Sequence, residues 1–346
     1  MSTNNYYKDA ETASVLKLRE LQMALPLLAA EFFRGIADYT AVRTRLGYAY
    51  DLRIFFTFLS EEVVHKNIRD YTTDDLSKLT ATDIENFMDY LTYYIKEDAV
   101  KENAPQGKSR KLAAVRTMFK YFYGKGKIPA NPAELVGFPR LREKAITTLE
   151  PSEVAKLLDT VESGEKLTAK QQQYHQLTKT RDVALITLLL GTGMRVSECV
   201  GINISDLDFE TYGVKVTRKG GDEVVLYFGD EVAEALTDYM LLRGESETKD
   251  GHENALFLSI QNRRITSRAV QNLVKKYSRL VTTLKNISPH KLRSTFCTQL
   301  YQETGDIYLV ANVLGHADVN TTRKHYAKMD EGHRRRAAKA VKLRRD

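Results

Sequence analysis

Several protein classes are excluded by what this sequence lacks. Only two cysteines, Cys199 and Cys297, occur in 346 residues. Neither a disulfide framework nor a four-cysteine zinc site can be assembled from them, and a reducing compartment is the natural reading. No uninterrupted apolar run approaches the roughly 20 residues that a membrane span needs. The start, Met1 to Asn5 followed by Tyr6-Tyr7-Lys8-Asp9, does not have the charged-then-apolar order of a signal peptide. Internal repeats and long low-complexity tracts are missing. So are a glycine-rich phosphate loop ending in Gly-Lys-Ser/Thr and an acidic cluster of the kind that holds two catalytic metals. These absences lead us to expect a cytoplasmic globular protein without a membrane span, and they agree with a chemistry that needs no metal or other cofactor.

What is present is a balanced, slightly basic composition: 42% hydrophobic and 28% charged residues, with 52 Lys and Arg against 45 Asp and Glu, net +7. At ~100–200 residues per domain the length predicts two domains. The positive excess is concentrated. Lys108, Arg110, Lys111, Arg116, Lys120, Lys125 and Lys127 occupy one stretch that contains no acidic residue. A second excess, Arg334 to Arg336, Lys339, Lys342, Arg344 and Arg345, faces only Glu331 and Asp346. In the first stretch Leu112, Val115, Phe119 and Phe122 recur at helical spacing, which predicts an apolar helix face with the basic residues on the other sides. An uncompensated block of this kind repels itself and suits a polyanion, although a merely solvated helix has the same pattern.

Residues 1–140 read as a bundle of about four helices, with apolar patterns through Leu46, Tyr50, Ile54, Phe55 and Phe58 and through Ile84, Phe87, Met88 and Leu91. Thr82 with Glu85 resembles a helix cap. About 35 residues precede the pattern that begins near Thr40, too few for a further small domain. Prolines and charge from Asn131-Pro132 to Lys144 mark a linker, placed at 141–150. A second unit, 151–330, opens with Val154, Leu157 and Leu158 and a buried helix from Arg181 to Leu190. Val214 and Val216 alternate with Lys215 and Thr217, turn at Lys219-Gly220-Gly221-Asp222 and return through Val224 to Tyr227, a β-hairpin with Lys219 at its tip. From Ser267 the pattern is helical again. Residues 331–346 form a basic tail.

Five places in the second unit carry polar chemistry. Arg195 lies in Gly191-Thr192-Gly193-Met194-Arg195-Val196-Ser197-Glu198, where a buried helix ends in a glycine turn and a new one starts; a surface arginine or a partner of Glu198 is the plain alternative. In Ser288-Pro289-His290-Lys291-Leu292-Arg293, Ser288 suits an N-cap and Pro289 the first helical position. His290 and Arg293 then share a face at the positive end of a helix, where a phosphate would meet dipole and donors together. Asp306 starts another helix that Gly315 ends, with His316 next, and Tyr326 follows ten residues later. The fifth place is the turn lysine, Lys219.

This series of two arginines, a turn lysine, two histidines and a late tyrosine resembles the tyrosine recombinase family of phage integrases and Xer-type recombinases. The carrying motifs are the segments 191–198 and 288–293, Leu314-Gly315-His316 and His325-Tyr326. The resemblance covers about 148–330, and more loosely the helical half, where family members carry a core-binding domain. It implies a mainly α fold with a small β-sheet in a mixed α/β catalytic domain, joined to a helical bundle as a C-shaped clamp around DNA. It also implies roles: Tyr326 as nucleophile, Arg195 and Arg293 on the scissile phosphate, Lys219 as donor to the leaving 5′ oxygen, and His290 and His316 as supporting groups. Lys215 and Arg218 lie close to Lys219, and the lysine motif is short. Double-stranded DNA with a paired short site, and a homo-tetramer in the synaptic complex, would be the partners. Lys108, Arg110, Lys111, Arg116 and Lys120 are the candidate DNA-binding residues. The tail would dock on a neighbouring protomer or contact DNA. Dimer resolution of the Xer kind, with a cytoplasmic, nucleoid-associated location, is the favoured role. The alternatives are a mobile-element integrase or excisionase-type recombinase, a non-catalytic DNA-binding accessory protein and a type IB topoisomerase-like enzyme.

Overall fold

Aromatic residues at helical spacing organise the first part of the chain. In the computed structural model, which describes residues 5–96, 99–141, 147–218, 220–315 and 319, the chain divides into two compact units, Met1–Lys144 and Ala145–Asp346. The first contains α1 (Asn5–Met23), α2 (Leu27–Gly35), α3 (Val42–Phe58), α4 (Thr73–Lys78) and α5 (Ala81–Tyr90). A two-stranded ribbon follows, β1 (Tyr93–Lys96) and β2 (Ala99–Glu102), then α6 (Pro105–Gly124) and α7 (Pro132–Leu135). Phe32, Phe55, Phe56, Phe87, Phe119 and Phe122 are buried together, and several meet edge to face, as between Phe55 and Phe87 and between Phe55 and Phe119. Ring quadrupoles favour that geometry over face-to-face stacking.

Three features differ from the reading of the sequence. Helix begins at Asn5, not near Thr40, and α1 packs on α3. The cap of α5 is Thr80, whose hydroxyl accepts from the Asp83 amide while Asp83 accepts from the Thr80 amide. Thr82 lies inside the first turn of that helix. The ribbon breaks the all-helical pattern: Tyr93 pairs with Glu102 and Ile95 with Val100, a run too short to register as alternation.

The second unit contains α8 (Pro151–Ser163), α9 (Ala169–Thr192), α10 (Val196–Gly201), β3 (Leu207–Asp208), β4 (Gly213–Thr217) and β5 (Glu223–Tyr227). It continues with α11 (Asp230–Gly244), α12 (Ser267–Val281), α13 (Pro289–Thr304) and α14 (Ile307–Leu314). Its centre is α9, buried without interruption from Ala184 to Leu190 because α8, α11 and α13 all pack against it. Asp182 on α9 is also buried, and its carboxylate accepts from Tyr277 Oη at 3.0 Å, Thr178 Oγ1 at 3.1 Å and Arg181 Nη2 at 2.6 Å. A buried charge is tolerable only with such pairing. The sheet is antiparallel in the order β3-β4-β5, with Val214 opposite Leu226 and Val216 opposite Val224. Val214 and Val216 point into the core while Lys215 faces out, the alternation expected of a half-buried strand. Among the described residues no helix is long and apolar enough to cross a membrane.

Candidate active site

The site is assembled from the ends of helices. At its C-terminus α9 turns through Gly193, at φ +63°, where a β-carbon would run into the ring of Phe296 on α13. Only glycine combines that backbone conformation with that close approach. Two residues on, Arg195 is the N-cap of α10. Its backbone amide donates to Glu198 Oε2 at 2.7 Å and its guanidinium Nη1 to Glu198 Oε1 at 2.8 Å. The buried Glu198 carboxylate thus fixes both ends of Arg195, while about a third of the arginine side chain, 37%, remains exposed.

Ser288 and Pro289 open α13 as the sequence suggests, Ser288 at the N-cap and Pro289 in the first turn. His290 in that first turn is exposed, and Arg293 one turn later is buried. Arg293 Nη1 donates to the Gly193 carbonyl at 2.6 Å and Nη2 to the Leu314 carbonyl at 2.5 Å. Burial, and next the neighbouring charge of Arg195, push the Arg293 guanidinium down to about 10, so it remains charged at neutral pH.

Helix α14 completes the arrangement. Asp306 caps it by accepting from the Tyr308 and Leu309 amides, and Gly315 ends it in the left-handed region at φ +61°. The last carbonyls of a helix have no intrahelical donor and bear its negative dipole end. Three arginines fill that need: Arg293 and, at 3.4 Å, Arg195 Nη2 on Leu314, and Arg218 Nη2 on Val313 at 2.9 Å. Arg218 entered the reading of the sequence only as a neighbour of Lys219. Its position one residue past β4 gave no signal, because its acceptors are backbone atoms about 95 residues away.

Arg195, Arg293 and His290 are therefore brought to one end of the second unit by α10 and α13. Lys219, His316 and Tyr326 lie outside the described residues, as does the tail 331–346. Lys215, the other lysine of the hairpin, sits 3.7 Å from Asp206 and 3.5 Å from Glu223 on the sheet. Mutually close, partly desolvated cations beside a helix start suit a tetrahedral oxyanion, since an anion relieves their repulsion and gains two guanidinium forks.

On α6 the expected cationic outer face is only partly realised. Lys111 is turned inward and buried, its ammonium 2.6 Å from Asn103 Oδ1. Arg116 is spent on the chain that follows: it donates to the carbonyls of Ala133, Glu134 and Val136 and lies over the Phe138 ring. Both corrections share a cause, since a 20-residue helix in a small bundle is contacted on more than its apolar stripe, and long basic stems fill the margins. Lys120 is exposed, Lys108 Nζ reaches Thr92 Oγ1 at 2.5 Å, and the half-exposed Arg110 pairs with the buried Asp51 at 2.5 Å.

Residues 147–333 match the phage integrase family. The chain is 33% identical to the tyrosine recombinase XerC of Caldanaerobacter subterraneus over 93% of its length and 90% of the relative's. It is similar in fold to the XerH site-specific recombinase bound to palindromic difH substrate, with a TM-score of 0.64 and 20% identity over 87% of this chain and 80% of that one. The Tn1549 transposon integrase in complex with circular intermediate DNA gives a TM-score of 0.63 at 21% identity, covering 86% and 94%. The protein thus belongs to the phage integrase family, and is a tyrosine-type site-specific DNA recombinase of the Xer kind.

Proposed function

We propose that the arginine pair holds the scissile phosphate of DNA and that Tyr326 attacks it. The phenolic oxygen forms a new bond to phosphorus as the bond from phosphorus to the 5′ oxygen breaks. The electron pair goes to that oxygen, which takes a proton from the Lys219 ammonium, while the phenolic proton passes to a neighbouring base, for which His290 and His316 are the candidates. The products are a 3′-phosphotyrosyl enzyme and a 5′ hydroxyl. The phosphodiester's energy is kept, so reversal onto another strand needs no nucleotide. The attack gathers charge on the non-bridging oxygens, where two positioned guanidiniums stabilise the transition state more than the ground state. Tyrosine, with an ordinary pKa of ~10, is activated by the same cations. Lys219 is preferred to Lys215 because the latter is held by Asp206 and Glu223.

The observation that carries this reading is the convergence of Arg195 and Arg293 on one carbonyl beside the helix start that bears His290. In the fuller reading four protomers on two paired sites exchange strands through a Holliday junction, as in Xer-type resolution of replicon dimers in the nucleoid. Residues 1–140 would serve as the core-binding domain, with Lys108, Arg110 and Lys120 near the backbone phosphates, and residues 331–346 would dock on a neighbouring protomer. The test is to select DNA from a random pool with the protein and place two copies of the recovered site in one supercoiled plasmid. Conversion into two circles in EDTA, without nucleotide, supports the reading. Tight binding without exchange would instead leave a DNA-binding accessory protein.

A further inference from the structure

Arg218 has no role in the chemistry just described, yet it meets the same helix end as the two arginines that do. Its backbone closes the β4–β5 turn, the amide donating to the Asp222 carbonyl at 2.7 Å and the carbonyl accepting from Gly221 at 3.1 Å. Its guanidinium crosses to α14 and donates to the Val313 carbonyl, with the Asn312 carbonyl 3.5 Å away. The space beneath Gly315 is taken by the same guanidinium, into which a β-carbon on Gly315 would run. Leu314, the residue between these two anchor points, supplies the carbonyl that both Arg195 and Arg293 use.

We propose that Arg218 is a positioning residue: by tying the end of α14 to the base of the β4–β5 turn, it holds the Leu314 carbonyl where that atom orients the Arg195–Arg293 pair. Helix ends fray because their last carbonyls lack intrahelical donors. A helix of eight residues has little internal resistance to that fraying. An acceptor displaced by an ångström would misdirect both guanidiniums at once, and misplacement on that scale costs up to about a hundredfold in rate. Arg218 also adds a third positive charge near Arg293, where it disfavours the charged guanidinium.

The proposal rests on the arginine pair acting on the phosphate, so the experiment separates the two claims. Single-turnover cleavage of a nicked DNA site is measured with an ordinary scissile phosphodiester and with a neutral methylphosphonate at that position, at saturating protein. The proteins are unaltered enzyme, Arg218→Gln and Arg293→Ala, each first checked for native thermal unfolding and DNA affinity. The neutral substrate has lost the charge the guanidiniums stabilise, so Arg293→Ala should be slow on the phosphodiester and near unaltered enzyme on the methylphosphonate. Arg218→Gln should follow the same pattern, with a defect on the order of tenfold to a hundredfold on the phosphodiester only and unchanged affinity. If Arg293→Ala is equalised but Arg218→Gln is equally slow on both substrates, or is not slow at all, the positioning role is wrong. If Arg293→Ala is itself not equalised, the clamp reading fails and takes this proposal with it. Should Arg218→Gln prove unstable, Arg218→Lys, which keeps a donor to the Val313 carbonyl, must recover part of the phosphodiester rate; no recovery would also overturn the role.

Discussion

Arg195 and Arg293, carried by different helices, donate to a single acceptor, the carbonyl of Leu314, at 3.4 and 2.5 Å. One helix end thereby sets the spacing of the two side chains on which phosphate binding would depend. Arg293 is held by burial and two carbonyls, whereas Arg195 is held from behind by Glu198 and keeps part of its surface exposed.

That difference makes Glu198 a lever chiefly on Arg195, which it hydrogen-bonds directly, whereas Arg293 only senses its charge. Glu198→Gln keeps the shape but removes the charge that fixes the guanidinium, so DNA affinity should stay within about twofold while single-turnover cleavage falls on the order of tenfold. Quench-flow cleavage alongside filter binding measures both. Equal losses in binding and rate would show that Glu198 acts on the fold at large.

Gly193 is required by its backbone angle and by Phe296. Gly193→Ala should cost about 2 kcal/mol or more, combining left-handed strain with overpacking. Because Arg293 bonds the Gly193 carbonyl, cleavage should suffer beyond the loss of stability. Chemical denaturation gives the first quantity, and a wild-type midpoint would contradict the close approach.

Asp51 gives the first unit a pH signature. Burial, opposed by Arg110 and Lys111, lifts its carboxyl from 3.8 to about 6, and its Oδ1 has no hydrogen-bond partner among the described residues. The folded state therefore binds a proton more tightly than the unfolded chain. The contribution of this group to stability is greatest below about pH 4 and declines as pH rises through 6. Asp51→Asn should gain on the unaltered protein as pH rises from 4 to 7, read as the difference between their melting temperatures. A difference that is flat in pH would contradict the shift.

Two lysines of α6 should part company. Lys120→Ala is expected to leave stability within about 0.5 kcal/mol and to flatten the salt dependence of DNA binding by ~0.9 in logarithmic slope. Lys111→Met should leave the slope unchanged and cost about 1–3 kcal/mol, through the hydrogen bond lost at Asn103. Salt titrations and urea melts distinguish them, and exchanged behaviours would put Lys111 at the DNA.

Much of the second unit was legible because its signals are local. Ser288-Pro289 starts a helix, Asp306 and Gly315 bound one, and alternating valines make β4 and β5; each works through the nearest neighbours in sequence. What the sequence hid is what depends on distant backbone. Nothing near Arg218 points to Val313, nothing near Arg116 points to the carbonyls of residues 133–136, and the inward turn of Lys111 depends on Asn103 before the helix begins. The ribbon of β1 and β2 escaped because four residues per strand are too few for alternation to register, and Tyr94 and Ile95 stand three and four residues after Leu91, where a continuing helical face would also place them. The family motifs identified the arginines, but only the fold shows that they share an acceptor.

Trapping the covalent intermediate shows whether Tyr326 is the nucleophile. A selected site is nicked just beyond the cleavage point, so that the short 5′-hydroxyl fragment diffuses away, and the mixture is denatured and examined for protein attached to a 3′ end. The unaltered protein should give an adduct that maps by peptide sequencing to Tyr326, and Tyr326→Phe should give none despite near-normal DNA binding. An adduct that survives in Tyr326→Phe would show that another residue is the nucleophile.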